Sequence, residues 1–166
     1  MYFLLMKHNS LLDSFRYAAY GIQSCIKKER NFRIHMTAAC YSSVLGIYMD
    51  LDGTQWAVLL LAQSLVLSLE LANTAIEAAV DLCCPQQHYL AACAKDAAAG
   101  AVLVAAVFSI GVAVNLFFKP ELWDLAEHIF TSPSLFAALF SSVIFFIWFI
   151  FRFGENRNRE QTLDEK

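Results

Sequence analysis

Apolar positions along this chain fall into one helical stripe followed by four long runs. From Ser10 to Lys28, Leu11, Leu12, Phe15, Ala18, Ala19, Ile22 and Ile26 recur at helical spacing, with Asp13, Arg16, Gln23, Lys27 and Lys28 opposite. The spacing predicts an amphipathic helix. Ser10 with Asp13 resembles a capping box at its start, and the cationic far end suits a helix lying on an anionic cytoplasmic leaflet. Packing of the same helix on protein is the alternative that spacing leaves open. After a polar stretch from Lys27 to His35, a first run covers about 34–49 and closes at a turn around Asp50, Asp52 and Gly53. The second run covers about 56–82; at about 1.5 Å per residue it reaches roughly 40 Å, longer than a hydrocarbon core of about 30 Å. Its C-terminal end is therefore expected to project into the interface.

Pro85 breaks the second run, and a polar loop from Gln86 to Tyr89 leads to a third run over about 90–118, which Pro120 ends. An acidic loop with Glu121, Asp124 and Glu127 is expected next, then a fourth run over about 134–151 and an Arg/Glu-rich tail that reads as disordered. The expected fold is all-α and integral to the membrane: an N-terminal amphipathic surface helix, three core transmembrane helices and an additional fourth transmembrane helix. Residues 1–118 would form the core membrane domain, and 119–166 an extension with the fourth helix and a charged cytoplasmic tail. No internal repeat is visible.

Composition points the same way, with 58% hydrophobic residues and 16% charged against roughly 25% charged in ordinary soluble domains. The net charge of -3 is small, and no stretch interleaves clustered Lys/Arg with aromatics, so nucleic acid is not expected as a partner. Met1 to Met6 is too short for a signal-peptide core and no small-residue cleavage site follows, so no processing is expected. The five cysteines, Cys25, Cys40, Cys83, Cys84 and Cys93, read as reduced thiols. Cys83, Cys84, His88 and Cys93 do not match the paired spacing of a structural zinc site.

Positive charge accumulates in cytoplasmic loops, and the 12 Lys and Arg residues are distributed unevenly. Lys7, Arg16, Lys27, Lys28, Arg30 and Arg33 precede the first run, Lys95 follows the second, and Arg152, Arg157, Arg159 and Lys166 follow the fourth; Lys119 alone falls on the other side. This places both termini and the middle loop in the cytoplasm, in a multi-pass membrane protein.

Within the second run, Glu70, Asn73, Glu77 and Asp81 share one helical face. Burying an unpaired carboxylate near a bilayer costs several kcal/mol, so such residues usually face a protein interior or a water-filled site and carry function. Glu29 and Arg33 at the end of the surface helix, and Lys95 with Asp96 at the start of the third run, converge on the same side. Carboxylates that hold a metal, cations that neutralise phosphate and a carboxylate that accepts a hydroxyl proton are what magnesium-dependent phosphoryl transfer needs. Intramembrane carboxylates also serve as relays in channels and transporters, and spacing does not separate the two. No Walker A sequence or protein-kinase Gly-rich loop is present.

Three blocks in order, SFRYAAYGIQSCIKKERNFRIH from Ser14 to His35, ELANTAIEAAVD from Glu70 to Asp81, and AKDAAAGAVLVAA from Ala94 to Ala106, resemble the prokaryotic diacylglycerol kinase family. The resemblance implies a homotrimeric membrane kinase using ATP and Mg2+, with active sites between subunits and a surface helix plus three crossing helices in each. It implies Glu70 as general base toward the lipid hydroxyl, Asn73 as the group that orients Glu70 and substrate, and Glu29 and Glu77 as magnesium ligands at the nucleotide. Lys95 and Asp96 match the nucleotide-contacting pair, Tyr17 and the Gln86 to His88 loop complete that pocket, and Arg33 with Glu70 faces the lipid. The block ERNFRIH resembles the branch that phosphorylates undecaprenol, with His35 in place of a carboxylate typical of diacylglycerol-specific relatives; diacylglycerol stays open as substrate. The chain departs from the family from Pro120 onward, where the fourth helix could wrap a trimer, anchor a partner or thicken the bundle.

Overall fold

The computed structural model of the protein describes residues 11–86 and 88–153. The proposed cap at Ser10, Gln87 and the charged tail lie outside them. Six helices follow in order: α1 (Leu11–Lys28), α2 (Arg30–Tyr48), α3 (Gly53–Cys83), α4 (Tyr89–Phe117), α5 (Pro120–Thr131) and α6 (Pro133–Arg152). There is no strand among the described residues, as expected where every backbone polar group must be satisfied within its own segment. The fold is that of an all-α integral membrane protein.

Three helices, α3, α4 and α6, are long and apolar enough to cross a membrane. At 31 residues, α3 is about 46 Å long and outruns the hydrocarbon core. It packs lengthwise on α4 to form the central hairpin. α2 differs in composition, and several of its polar side chains bond to protein groups. Thr37 donates to the Arg33 carbonyl, and Gln63 of α3 donates to Ser42, Ser43 and the Ala39 carbonyl at 2.9–3.2 Å. Such contacts hold helices together where lipid offers no polar partner.

The α2–α3 connection is the tightest part of the fold. Asp52 caps α3, accepting from the Thr54 and Gln55 amides while Gln55 Oε1 accepts from the Asp52 amide, a reciprocal capping box. Asp50 takes the left-handed conformation at φ 49°, which short polar side chains tolerate. Leu51 then turns inward to meet Leu59, Leu116 and Phe117. A Cβ on Gly46 would lie 3.1 Å from Leu51 Cδ1 and 3.2 Å from the Trp56 ring. Gly46→Val is therefore expected to destabilise the fold by about 1–3 kcal/mol through overpacking, read as a lower melting temperature in detergent.

The polar stretch from Lys27 to His35 is helical except at Glu29, whose φ of −96° and ψ of 113° separate α1 from α2. One local expectation is corrected: the expected acidic loop is the helix α5. Pro120, which ends α4, also occupies the first turn of α5, where a missing N–H costs nothing. Glu121, Asp124 and Glu127, spaced by three, follow one face of that helix.

On α1 only Cys25 is buried, and Leu11, Leu12 and Phe15 are 75–81% exposed. The apolar face is thus uncovered by protein, as a surface helix requires.

Candidate active site

The α3 face carrying Glu70, Asn73, Glu77 and Asp81 meets three other elements. Glu70 is 3% exposed, and its Oε1 stands 3.2 Å from His35 Nε2 on α2. Glu29 and Glu77 are close enough for their charges to act on it. One turn along α3, Asn73 Nδ2 donates to Glu77 Oε1 at 2.9 Å, while Asn73 Oδ1 is buried with no hydrogen-bond partner. A buried amide oxygen without a donor is costly unless a ligand completes it.

About 16 Å along the helix from Glu70, by its 1.5 Å rise, lies a second feature. Lys95 Nζ of α4 pairs with Asp81 Oδ1, and the two line an open cleft of about 590 Å³ with Cys84, Pro85, Gln86 and His88 at the α3–α4 connection. His88 also caps α4, its Nδ1 accepting from the Leu90 amide at 3.2 Å. The arrangement is two-tiered: a carboxylate nest around the buried Glu70, and further along α3 a cleft bearing a cation.

The structure brings Glu29, Glu70, Asn73 and Glu77 together, and groups Gln86, His88 and Lys95 around the cleft; Asp96 is exposed beside Lys95 and Tyr17 is partly buried on α1. Asn73 turns to Glu77, and the side chain against Glu70 is His35. Arg33 is 4% exposed and directs its guanidinium to main-chain carbonyls of Ile26, Lys27 and Ile150. Two partners were not singled out from sequence for these places, His35 for Glu70 and Asp81 for Lys95. Asp81 was legible as the last member of the acidic face, but its cation lies across the hairpin. Among the described residues no three His, Cys, Asp or Glu side chains form a metal-holding group, and Cys25 is buried while the other cysteines are exposed thiols.

The family model of prokaryotic diacylglycerol kinase matches residues 16–117, from α1 to the end of α4. An undecaprenol kinase of Bacillus subtilis is 44% identical over 114 residues, covering 69% of this chain and 92% of that one. A diacylglycerol kinase of Synechocystis is likewise 44% identical over 114 residues, covering 68% of this chain and 65% of its own length. The diacylglycerol kinase of Escherichia coli K12 is 31% identical over 94 residues. No solved structure matches. Fold and relatives together define the class, a membrane-embedded lipid kinase. Within it, the chain belongs to the prokaryotic diacylglycerol kinase family.

Proposed function

We propose that the protein transfers the γ-phosphate of ATP to the hydroxyl of a lipid alcohol, undecaprenol or diacylglycerol, at the cytoplasmic face of the bacterial plasma membrane. The observation that carries this reading is a carboxylate, Glu70, buried on the long apolar helix α3 against His35, with an oxygen-rich nest beside it and a cation-bearing cleft further along. A lipid hydroxyl reaches the nest from the bilayer; a nucleotide reaches the cleft from water.

Glu70 takes the hydroxyl proton as the lipid oxygen bonds to the γ-phosphorus and the bond to the β-bridging oxygen breaks, releasing ADP and phosphorylated lipid. His35 Nε2, 3.2 Å from Glu70 Oε1, holds that oxygen and leaves the other for substrate. Lys95 and Asp96, with Tyr17, Gln86 and His88, hold the nucleotide, and most of the acceleration comes from positioning and charge neutralisation. Arg33, bonded to main-chain carbonyls, frames the nest from the α1–α2 joint. Magnesium fits the chemistry of the residues present: Glu29, Asn73 and Glu77 offer oxygen donors, and Asn73 Oδ1 is an unpartnered buried acceptor. That pattern suits a cation that keeps phosphate oxygens and water among its ligands. Glu29 and Glu77 would hold it, and it would neutralise charge developing on the transferring phosphate.

The Lys/Arg asymmetry supports cytoplasmic termini. Residues 1–118 act as the kinase domain, and 119–166 as an extension. Ala72, Ala75, Ala79, Ala97 and Ala99 are exposed on the protomer, and small outward faces support close approach of other copies in a homotrimer. The block ERNFRIH favours undecaprenol, although the two 44%-identical relatives carry different substrate names.

The test is transfer from labelled ATP and magnesium in mixed micelles, with undecaprenol and diacylglycerol offered separately. Labelled undecaprenyl phosphate assigns the polyprenol, labelled phosphatidic acid the glyceride, and transfer to neither overturns the reading in favour of an ion or proton pathway. His35→Leu is expected to lower turnover by roughly tenfold, and His35→Gln, which keeps an N–H donor toward Glu70, by less. Equal loss in both variants would place His35 outside the positioning of Glu70.

A further inference from the structure

Arg33 holds two helix ends at once. Its Nη1 donates to the Ile26 and Lys27 carbonyls at 3.0 and 3.3 Å, and its Nε and Nη2 to the Ile150 carbonyl at 3.0 and 2.9 Å. Ile26 and Lys27 are in the last turn of α1, and Ile150 is in the last turn of α6. Carbonyls there have no intrahelical partner, and a cation is favoured at that end of the helix dipole. Four of the five N–H donors of a guanidinium are thus directed at helix ends, in a side chain that is 4% exposed.

The position of this grip matters because of what lies between its contacts. Glu29 is the one non-helical residue between α1 and α2, and its side chain makes no capping bond there. Arg33, one turn into α2, reaches back across Glu29 to the end of α1, so it fixes the angle at which the two helices meet. The third arm of the grip comes from α6, which is seated on α2 by further contacts. Tyr41 Oη lies 3.0 Å from Ser142 Oγ, the Tyr41 and Phe146 rings are 5.1 Å apart, and the Arg30 guanidinium sits 5.9 Å from the centre of the Phe151 ring. The family model stops at residue 117, so α6 is an addition to the matched region that reaches back to the joint carrying Glu29.

We propose that α6 is a brace for the active site: through Arg33 it fixes the α1–α2 joint and thereby the placement of Glu29. Arg33 is then a positioning residue. The proposal rests on the reading of Glu29 as a magnesium ligand.

The experiment uses the full chain in mixed micelles and compares wild type, Arg33→Lys, Phe146→Ala and the double variant. Arg33→Lys keeps the charge and loses the planar fork; Phe146→Ala loosens the α6 seat without touching the joint. Two quantities are read: amide hydrogen exchange over residues 26–33, and the magnesium dependence of phosphate transfer alongside the lipid KM. Both single variants are expected to exchange faster at the joint. Each should raise the magnesium concentration for half-maximal rate by roughly tenfold, the low end for losing the support of a metal ligand. The lipid KM should stay within about twofold, and the double variant should be no worse than Arg33→Lys alone, because both act through one connection.

Unchanged exchange and magnesium dependence in Phe146→Ala would overturn the brace. So would an Arg33→Lys variant that raises the lipid KM at unchanged magnesium dependence, since Arg33 would then be a substrate contact. Glu29→Gln separates the underlying reading: if it leaves magnesium dependence unchanged while Phe146→Ala loosens the joint, the brace stands and Glu29 is not the ligand.

Discussion

Glu70→Gln is expected to lower the rate of lipid phosphorylation by roughly 10²–10⁴-fold, the range for loss of a positioned general base, while the protein folds and binds nucleotide as before. The substitution is nearly isosteric, and the amide oxygen can still accept from His35, which stands 3.2 Å from Glu70 Oε1. Packing around a residue that is 3% exposed is therefore kept, and the proton acceptor is lost. The measurement is kcat and both KM values with the preferred lipid. A fall in kcat at constant KM for ATP assigns Glu70 to the chemical step. An unchanged kcat would remove Glu70 as base and leave its burial as a purely structural feature of the α2–α3 contact.

Much of this arrangement is legible in the sequence because it depends on one helix. Glu70, Asn73, Glu77 and Asp81 occupy a single face of α3, and period alone places them together. The long apolar runs likewise define α3, α4 and α6, since length and hydropathy are set by the bilayer. Contacts between helices are harder to read. Nothing in the spacing says that His35 rather than Asn73 meets Glu70, or that Asp81 meets Lys95, because both depend on the rotation of one helix against another. Arg33 illustrates the same limit: its charge and position near a phosphate-handling site suggest a ligand, but its partners are carbonyls 6, 7 and 117 residues away. Pro120 shows a local ambiguity, since one proline both stops α4 and starts α5.

The cleft yields the second large effect. Lys95→Met is expected to reduce kcat/KM for ATP by about 10–10²-fold, the size of losing one charge-assisted hydrogen bond to a bound phosphate. Methionine keeps much of the apolar stem, so lost packing contributes little. In the structure Lys95 pairs with Asp81 and lines the cleft with Gln86 and His88, so a nucleotide phosphate must compete with Asp81 for the same ammonium. Asp81→Asn relieves that competition and leaves the cation in place. Its effect should be small and its KM for ATP no higher than wild type, whereas a lysine whose value lay only in the Asp81 pair would be affected equally by either substitution. Because Asp81 is exposed and Lys95 partly so, the pair itself contributes little to stability, and melting temperatures of the two variants should lie close to wild type. Equal kinetic damage in the two variants would therefore locate the role of Lys95 in holding the α3–α4 hairpin, and the nucleotide phosphates would need another cation.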